Sequence, residues 1–257
     1  VDAAKSAGCN CVKFQTRDLK ALYGEFHNTN HPQDLGVEYV RDLLDKYNLS
    51  PSEHVELFDY CQQVGIHYLA TPWDLESVKL LQKLGVQGFK IASADFSNVD
   101  LIEAVLQIGA PLILSTGMTT FNEISEIAGI LESSALEDYC LLHCNSTYPA
   151  PHSDIDLPFL DQLKALSPNV GYSGHERGIA ITLAAYTMGA VVIERHITLD
   201  KDMEGPDHAA SLLPGEFAAL VQGIHEIKAA TSLDRMPGVR RMSQGELINR
   251  ENLGKSV

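Results

Sequence analysis

Seven short, β-branched apolar runs recur along the chain, at 11–15, 66–70, 88–92, 111–115, 139–143, 169–173 and 190–194. The stretches between them are too long for hairpins and carry apolar residues at helical spacing, which predicts amphipathic helices. One helix start is explicit: Ser50-Pro51-Ser52-Glu53 combines a capping box with proline at the first helical position. Further helices are expected over 74–84, 122–132, 178–188 and 214–230. Strand and helix in alternation imply a parallel sheet with helices outside it, either a closed (β/α)8 TIM barrel or an open doubly wound sheet. No Gly-rich dinucleotide fingerprint follows any strand, and polar residues follow strand after strand instead of clustering at one switch point. Both features favour the α/β TIM barrel.

Seven strands are one short of that barrel. The opening Ala3-Ala4-Lys5-Ser6-Ala7-Gly8 has the pattern of a helix end stopped by glycine. The expectation is therefore a barrel over 1–233 whose first strand is missing from this chain, with a gap in its wall between the strands at Val12 and Ala190. Residues 234–257 are polar and are expected to form a linker toward an absent C-terminal domain.

Composition narrows the partners. With 257 residues and 45% hydrophobic content the chain can bury one sizeable core. No apolar run approaches the roughly 18 residues of a membrane span, and the first residues lack the order of a signal peptide, so a cytoplasmic location is expected. A net charge of -15 argues against nucleic acid or an anionic membrane, which demand clustered Lys and Arg, but leaves room for a small anion held by a few local cations. The five cysteines form no closely spaced doublets and are expected to be reduced and mostly buried.

The candidate chemistry lies at strand ends. Strand alternation places Lys13 and Gln15 on one face and Val12 and Phe14 on the other, with the polar pair pointing into the barrel. Lys90 repeats the arrangement on a later strand, with Ser93 and Asp95 just beyond it. An inward lysine needs an anionic partner, either a ligand or an internal carboxylate. Ser115 and Thr116 add hydroxyl donors before Gly117, which lets backbone approach closely. In His143-Cys144-Asn145-Ser146-Thr147-Tyr148, Ser146 and Tyr148 share a parity that can face a ligand, whereas His143 reads as a hydrogen-bonded structural residue. His175 and His196 stand at or just past the ends of sequence-adjacent strands. Two such imidazoles suit a divalent metal completed by water and substrate oxygens, or else are unrelated, one serving as a general base. Asp207, on the turn Gly205-Pro206-Asp207-His208, is either part of this site or a solvated turn residue.

With these residues in view, the chain resembles the barrel domain of N-acetylneuraminate (sialic acid) synthases over nearly its whole length. The resemblance runs in order through VKFQT, ATPWD, FKIAS, LILSTGM, LLHCNSTYP, GYSGH, IERHITLD and GPDHAASL, and the tail ENLGKSV is similar to the family's linker to its antifreeze-like domain. It implies an enzyme, a transferase that condenses phosphoenolpyruvate with N-acetylmannosamine or its 6-phosphate, acting as a homodimer. By resemblance, His175 and His196 bind the metal, usually manganese, with magnesium or cobalt as substitutes. Lys13 and Thr71 would hold the substrate carboxylate, and Lys90, Ser93, Ser115, Ser146 and Ser173 would surround the phosphate. Gln15, Asp95, Tyr148 and Asp207 would face the sugar, with Asp95 the proton carrier or simply a ligand of sugar hydroxyls. Many bacterial members carry Glu in place of Asp95 and Asp in place of Gly174, which leaves the phosphorylation state of the acceptor open.

The nearest rival reading is a synthase of a related sugar acid, legionaminic, pseudaminic or another 3-deoxy-2-ketoacid, with the acceptor selected by loops such as 17–36. A rival of another class is a barrel that binds an anionic sugar without turnover.

Overall fold

The computed structural model describes residues 1–23, 43, 44, 46–134, 136–232 and 240–254. Its seven strands fall on the seven runs read from the sequence: β1 (Cys11–Thr16), β2 (His67–Pro72), β3 (Phe89–Ile91), β4 (Leu112–Ser115), β5 (Tyr139–Cys144), β6 (Asn169–Gly174) and β7 (Val192–Arg195). All pairings are parallel. β1 pairs with β2, while β3 to β7 form one five-stranded sheet in chain order. Among the described residues no ladder joins β2 to β3, although the two run side by side, and none joins β7 to β1. The chain is thus an α/β fold with a curved parallel sheet wrapped by helices. A complete eight-stranded barrel is not present within the described residues.

The helices are α1 (Asp2–Ser6), α2 (Leu19–Tyr23), α3 (Pro51–Val64), α4 (Leu75–Leu84), α5 (Val99–Leu106), α6 (Phe121–Ser133), α7 (Phe159–Leu163), α8 (Ala180–Thr187), α9 (Pro214–Thr231) and α10 (Gln244–Leu253). The capping box expected at Ser50 forms: Glu53 N–H donates to Ser50 Oγ at 3.3 Å, and Ser50 N–H donates to the Glu53 carboxylate at 2.7 Å. Asp74 caps α4 by accepting from Ser77 N–H at 2.8 Å. A second box, Thr120 with Glu123, starts α6. Each such cap satisfies backbone donors that would otherwise be orphaned, a contribution of about 1 kcal/mol.

Residues 1–224 form one compact unit and 225–257 a second. The tail expected as a plain linker carries α10, started by a capping box between Ser243 and Glu246. Its polar composition hid the helix because an exposed helix has no apolar stripe to signal it. Residues 233–239 and 255–257, and most of the loop 17–36, lie outside the described residues.

In the first unit, alternation along each strand sorts side chains into two layers. Phe89, Ile91, Leu112, Leu114, Leu141 and Tyr172 face the helices and are buried against Leu81, Ile102, Ile124, Leu131, Leu160 and Leu163. Each such burial contributes about 1.5–3 kcal/mol. The opposite parity carries Lys13, Gln15, Thr71, Lys90, Ser115, Cys144, Ser173, Glu194 and His196. Packing of the helix layer thereby fixes the polar set on the inner face. Three of the five cysteines are buried, and all five are free thiols.

Candidate active site

Lys90 projects inward from β3 and is 2% exposed. Its ammonium donates to Ser115 Oγ at 2.7 Å and to its neighbour's carbonyl, Ile91 O, at 3.0 Å. Glu194 of β7 stands 3.9 Å from Lys90 Nζ and 3.4 Å from Lys13 Nζ of β1, and accepts from Ser173 Oγ at 3.0 Å. The inward lysines therefore do share an internal carboxylate, one of the two partners the sequence left open. Two ammonium groups on one carboxylate leave the cluster with a surplus positive charge, the condition for taking up an anion. Burial, opposed by Glu194 and reinforced by Lys13, pushes the Lys90 ammonium down to about 8. For Glu194, burial alone would raise the carboxyl, but Lys13, Lys90, His196 and Ser173 outweigh it and bring it to about 2.

Next to this cluster lie the hydroxyls of Ser93 and Ser146. Gly117 N–H donates to Ser93 Oγ at 3.1 Å. A Cβ on Gly117 would stand 2.3 Å from Ser146 Oγ and 2.8 Å from Ser93 Oγ, so only glycine allows both hydroxyls this close to the backbone. Cys144 Sγ lies between Ser93 Oγ at 3.7 Å and His175 Nδ1 at 3.8 Å. The oxygens Thr71 Oγ1, Asp95 Oδ2 and Ser146 Oγ are buried with no hydrogen-bond partner among the described residues. Leaving such groups unmade costs about 1–3 kcal/mol each, a pattern typical of sites built for a ligand.

The two histidines converge, with ring centroids 5.3 Å apart. Tyr148 stacks on His175 at 4.1 Å and meets His196 edge-on at 5.8 Å. His175 Nδ1 lies 2.6 Å from Asn145 O, so that nitrogen carries a proton. Asp207 Oδ2 lies 3.6 Å from His196 Nδ1, which ties the turn aspartate to the site. Burial lowers His196 to about 4 against the opposing pull of Asp207, so its ring is neutral near pH 7. At His175 burial is outweighed by Cys144 and Asn145 O, which raise it, so a divalent metal, which requires neutral imidazoles, would compete there with a proton. Among the described residues no group of three or more His, Cys, Asp and Glu converges as a metal cage, so any ion here would keep positions open for water and substrate.

The third part of the site surrounds Gln15. Its side chain accepts from Arg17, whose guanidinium lies over the Trp73 ring at 4.2 Å, and Thr71 is its register partner on β2. Arg17 acts electrostatically on Asp95, whose carboxyl is raised by burial and whose Oδ1 accepts from Asn98 at 3.0 Å. The expected site residues thus group into an anion cluster, a histidine pair and a polar rim. His143 is the structural residue expected, paired with Ile155 O and packed on Phe159. Sequence reasoning missed Glu194, although it shares strand parity with His196, and Arg17, which lies beyond the strand end.

The profile of the NeuB family matches residues 1–235. An N,N'-diacetyllegionaminic acid synthase of Campylobacter jejuni is 37% identical over 269 aligned positions, covering 100% of this chain and 78% of that protein. The N-acetylneuraminate-9-phosphate synthase of Homo sapiens is 35% identical, covering 99% of this chain and 70% of that protein. An uncharacterised protein of Methanocaldococcus jannaschii is 40% identical, and the chain spans 65% of its length. Among solved structures, N-acetylneuraminic acid synthetase from Leptospira borgpetersenii, in complex with citrate, superposes with a TM-score of 0.83 at 30% identity, covering 99% of this chain and 85% of that one.

Proposed function

The chain belongs to the NeuB family, and on that premise we propose that it condenses phosphoenolpyruvate with an open-chain amino-sugar aldehyde to give a nonulosonic acid and phosphate. The observation that carries this reading is the surplus cation cluster of Lys13, Lys90 and Glu194, reaching through Ser173 and Ser115 toward the convergent His175 and His196. C3 of phosphoenolpyruvate attacks the aldehyde carbon, water adds at C2, and phosphate leaves by carbon–oxygen cleavage.

Lys13 and Thr71 orient the substrate carboxylate, and Lys90, Ser93, Ser115, Ser146 and Ser173 bind the phosphate. Gln15, Asp95, Tyr148 and Asp207 face the sugar, with Tyr148 also packing His175 into place. The raised carboxyl of Asp95 suits it to hold a proton for the forming sugar hydroxyl. His175 and His196 would hold a divalent metal, manganese by preference, which when bound supplies Lewis-acid polarisation of the aldehyde oxygen. The proposed assembly is a (β/α)8 barrel in which a further strand closes the interval between β1 and β7, and it works as a soluble homodimer.

N-acetylmannosamine, its 6-phosphate and the precursors of legionaminic and pseudaminic acid are the candidate acceptors. Phosphate release from phosphoenolpyruvate by the full-length protein, measured with each acceptor, tests the proposal. Turnover with one acceptor identifies the product; tight phosphoenolpyruvate binding without phosphate release from any acceptor would instead favour a binding barrel.

A further inference from the structure

Behind the histidine pair, on the helix side of the sheet, lies an ion pair outside the reacting set. The side chains of Arg195 and Glu176 are both 0% exposed, with Arg195 Nη1 2.9 Å from Glu176 Oε1. The same nitrogen reaches Gly178 O at 2.8 Å and Thr182 Oγ1 at 2.7 Å, and Nη2 donates to the backbone carbonyl of Glu176. Glu176 also accepts from Tyr172 Oη at 2.8 Å and from Thr182 Oγ1 at 2.9 Å. A fully desolvated pair gains little net stability over an apolar substitute, so its worth lies in the geometry that it imposes.

Its location says which geometry. The β6–β7 ladder ends at the register pair Gly174 and Arg195. His175 and His196 are the next residues on each strand, beyond the last backbone tie. From Arg195, the residue before His196, the guanidinium crosses to the side chain and carbonyl of Glu176, the residue after His175. The cross-strand connection thus continues in side chains where the sheet stops. Gly174 makes room for it: a Cβ there would stand 2.6 Å from Glu176 Oε2 and 2.7 Å from the Tyr172 ring.

We infer that Arg195 and Glu176, with Gly174 and Thr182, form a positioning clamp that fixes the spacing of His175 and His196 and so sets the divalent-metal affinity of the site. The inference rests on the metal reading of the two histidines. A clamp residue touches neither substrate nor metal, and it acts through strand ends that no backbone hydrogen bond joins among the described residues.

The test is Mn2+ binding by the full-length protein without substrate, measured from the free-ion electron paramagnetic resonance signal. Arg195→Lys keeps the charge but loses the fork that reaches both carbonyls, and Mn2+ affinity is expected to fall about 10-fold or more, in the range seen when metal-orienting partners are removed. Thr182→Val, which removes one hydroxyl from the clamp, and Gly174→Ala, whose methyl would press on Glu176 and Tyr172, are expected to shift affinity in the same direction while near-ultraviolet circular dichroism shows a folded protein. Unchanged Mn2+ affinity in any folded variant whose urea midpoint has dropped would overturn the clamp and leave the pair purely structural. Absence of Mn2+ binding by the wild-type protein would sink the metal reading first, and the clamp with it. Wild-type binding retained by the variants rejects the clamp alone.

Discussion

The Lys13 ammonium and the Glu194 carboxylate lie 3.4 Å apart, and they connect the first strand to the last where no backbone ladder does among the described residues. The contact crosses the interior of the curved sheet. It also brings the Lys13 charge to the same carboxylate that Lys90 approaches from β3. An acidic chain of net charge -15 thereby gathers a locally cationic cluster. Local placement, not the overall balance, decides what such a cluster attracts.

Lys90 is expected to set an upper pH limit on the proposed reaction. Its free-enzyme ammonium, lowered by burial to about 8, loses its proton as pH rises through that value. The neutral amine no longer attracts phosphate, so kcat/KM for phosphoenolpyruvate should fall above about pH 8. Lys90→Ala should raise the KM for phosphoenolpyruvate about 10- to 100-fold, as expected for a lost charged hydrogen bond of about 1.5–3 kcal/mol, with little effect on the sugar KM. A flat kcat/KM profile between pH 7 and 9.5 together with an unmoved KM in the variant would make Lys90 structural.

His175→Ala and His196→Ala should each abolish measurable turnover and manganese binding while circular dichroism remains native. Both rings are packed at the strand ends, not in the apolar core, so the fold should tolerate their loss. Near-normal rates from either variant after chelation and manganese addition would contradict the metal assignment.

Gly117→Ala tests the serine pair. The added methyl would meet Ser146 Oγ at 2.3 Å and Ser93 Oγ at 2.8 Å, forcing the two hydroxyls apart. Phosphoenolpyruvate affinity measured by calorimetry should drop about 10-fold or more, about 1.4 kcal/mol, with the melting temperature little changed. Equal affinity would show that these hydroxyls do not bind the phosphate.

Glu194→Gln should destabilise the protein in a pH-dependent way. The folded carboxyl lies near 2, below the roughly 4.3 of an unperturbed glutamate, so ionised Glu194 stabilises the fold above the higher value. That contribution is lost as pH falls through the lower one. Urea unfolding of wild type and variant should differ by about 3 kcal/mol at pH 6, the scale for breaking one side of a buried pair, with the gap closing toward pH 2. A gap independent of pH would place its origin in packing.

Much of this arrangement was legible because strand periodicity is strict. Lys13, Gln15 and Lys90 were assigned to the inner face by counting alternate residues, and the structure places them there. Two kinds of residue escaped. Glu194 lies within an apolar strand and was passed over beside its more conspicuous neighbour His196, although the same alternation assigns it inward. Arg17 follows the end of β1, where alternation no longer applies, and its place against Trp73 depends on tertiary packing. The helix at Gln244–Leu253 was missed for a different reason, since it buries none of its residues and carries no amphipathic signature.

On β7 the adjacent residues Glu194 and Arg195 serve opposite faces, one among the inner lysines and the other in the clamp behind the sheet. Strand parity makes their roles inseparable from reading frame. Deleting a single residue just before Val192 would move Arg195 into the inner position of Glu194, against Lys13 and Lys90, and leave His196 in the position that faces Glu176. A substitution on this strand disturbs one ionic network at a time, but an in-frame codon deletion changes the occupants of both at once. Insertion and deletion libraries should therefore show β7 as a stretch of near-complete intolerance, bordered by the loops on either side, where length changes survive.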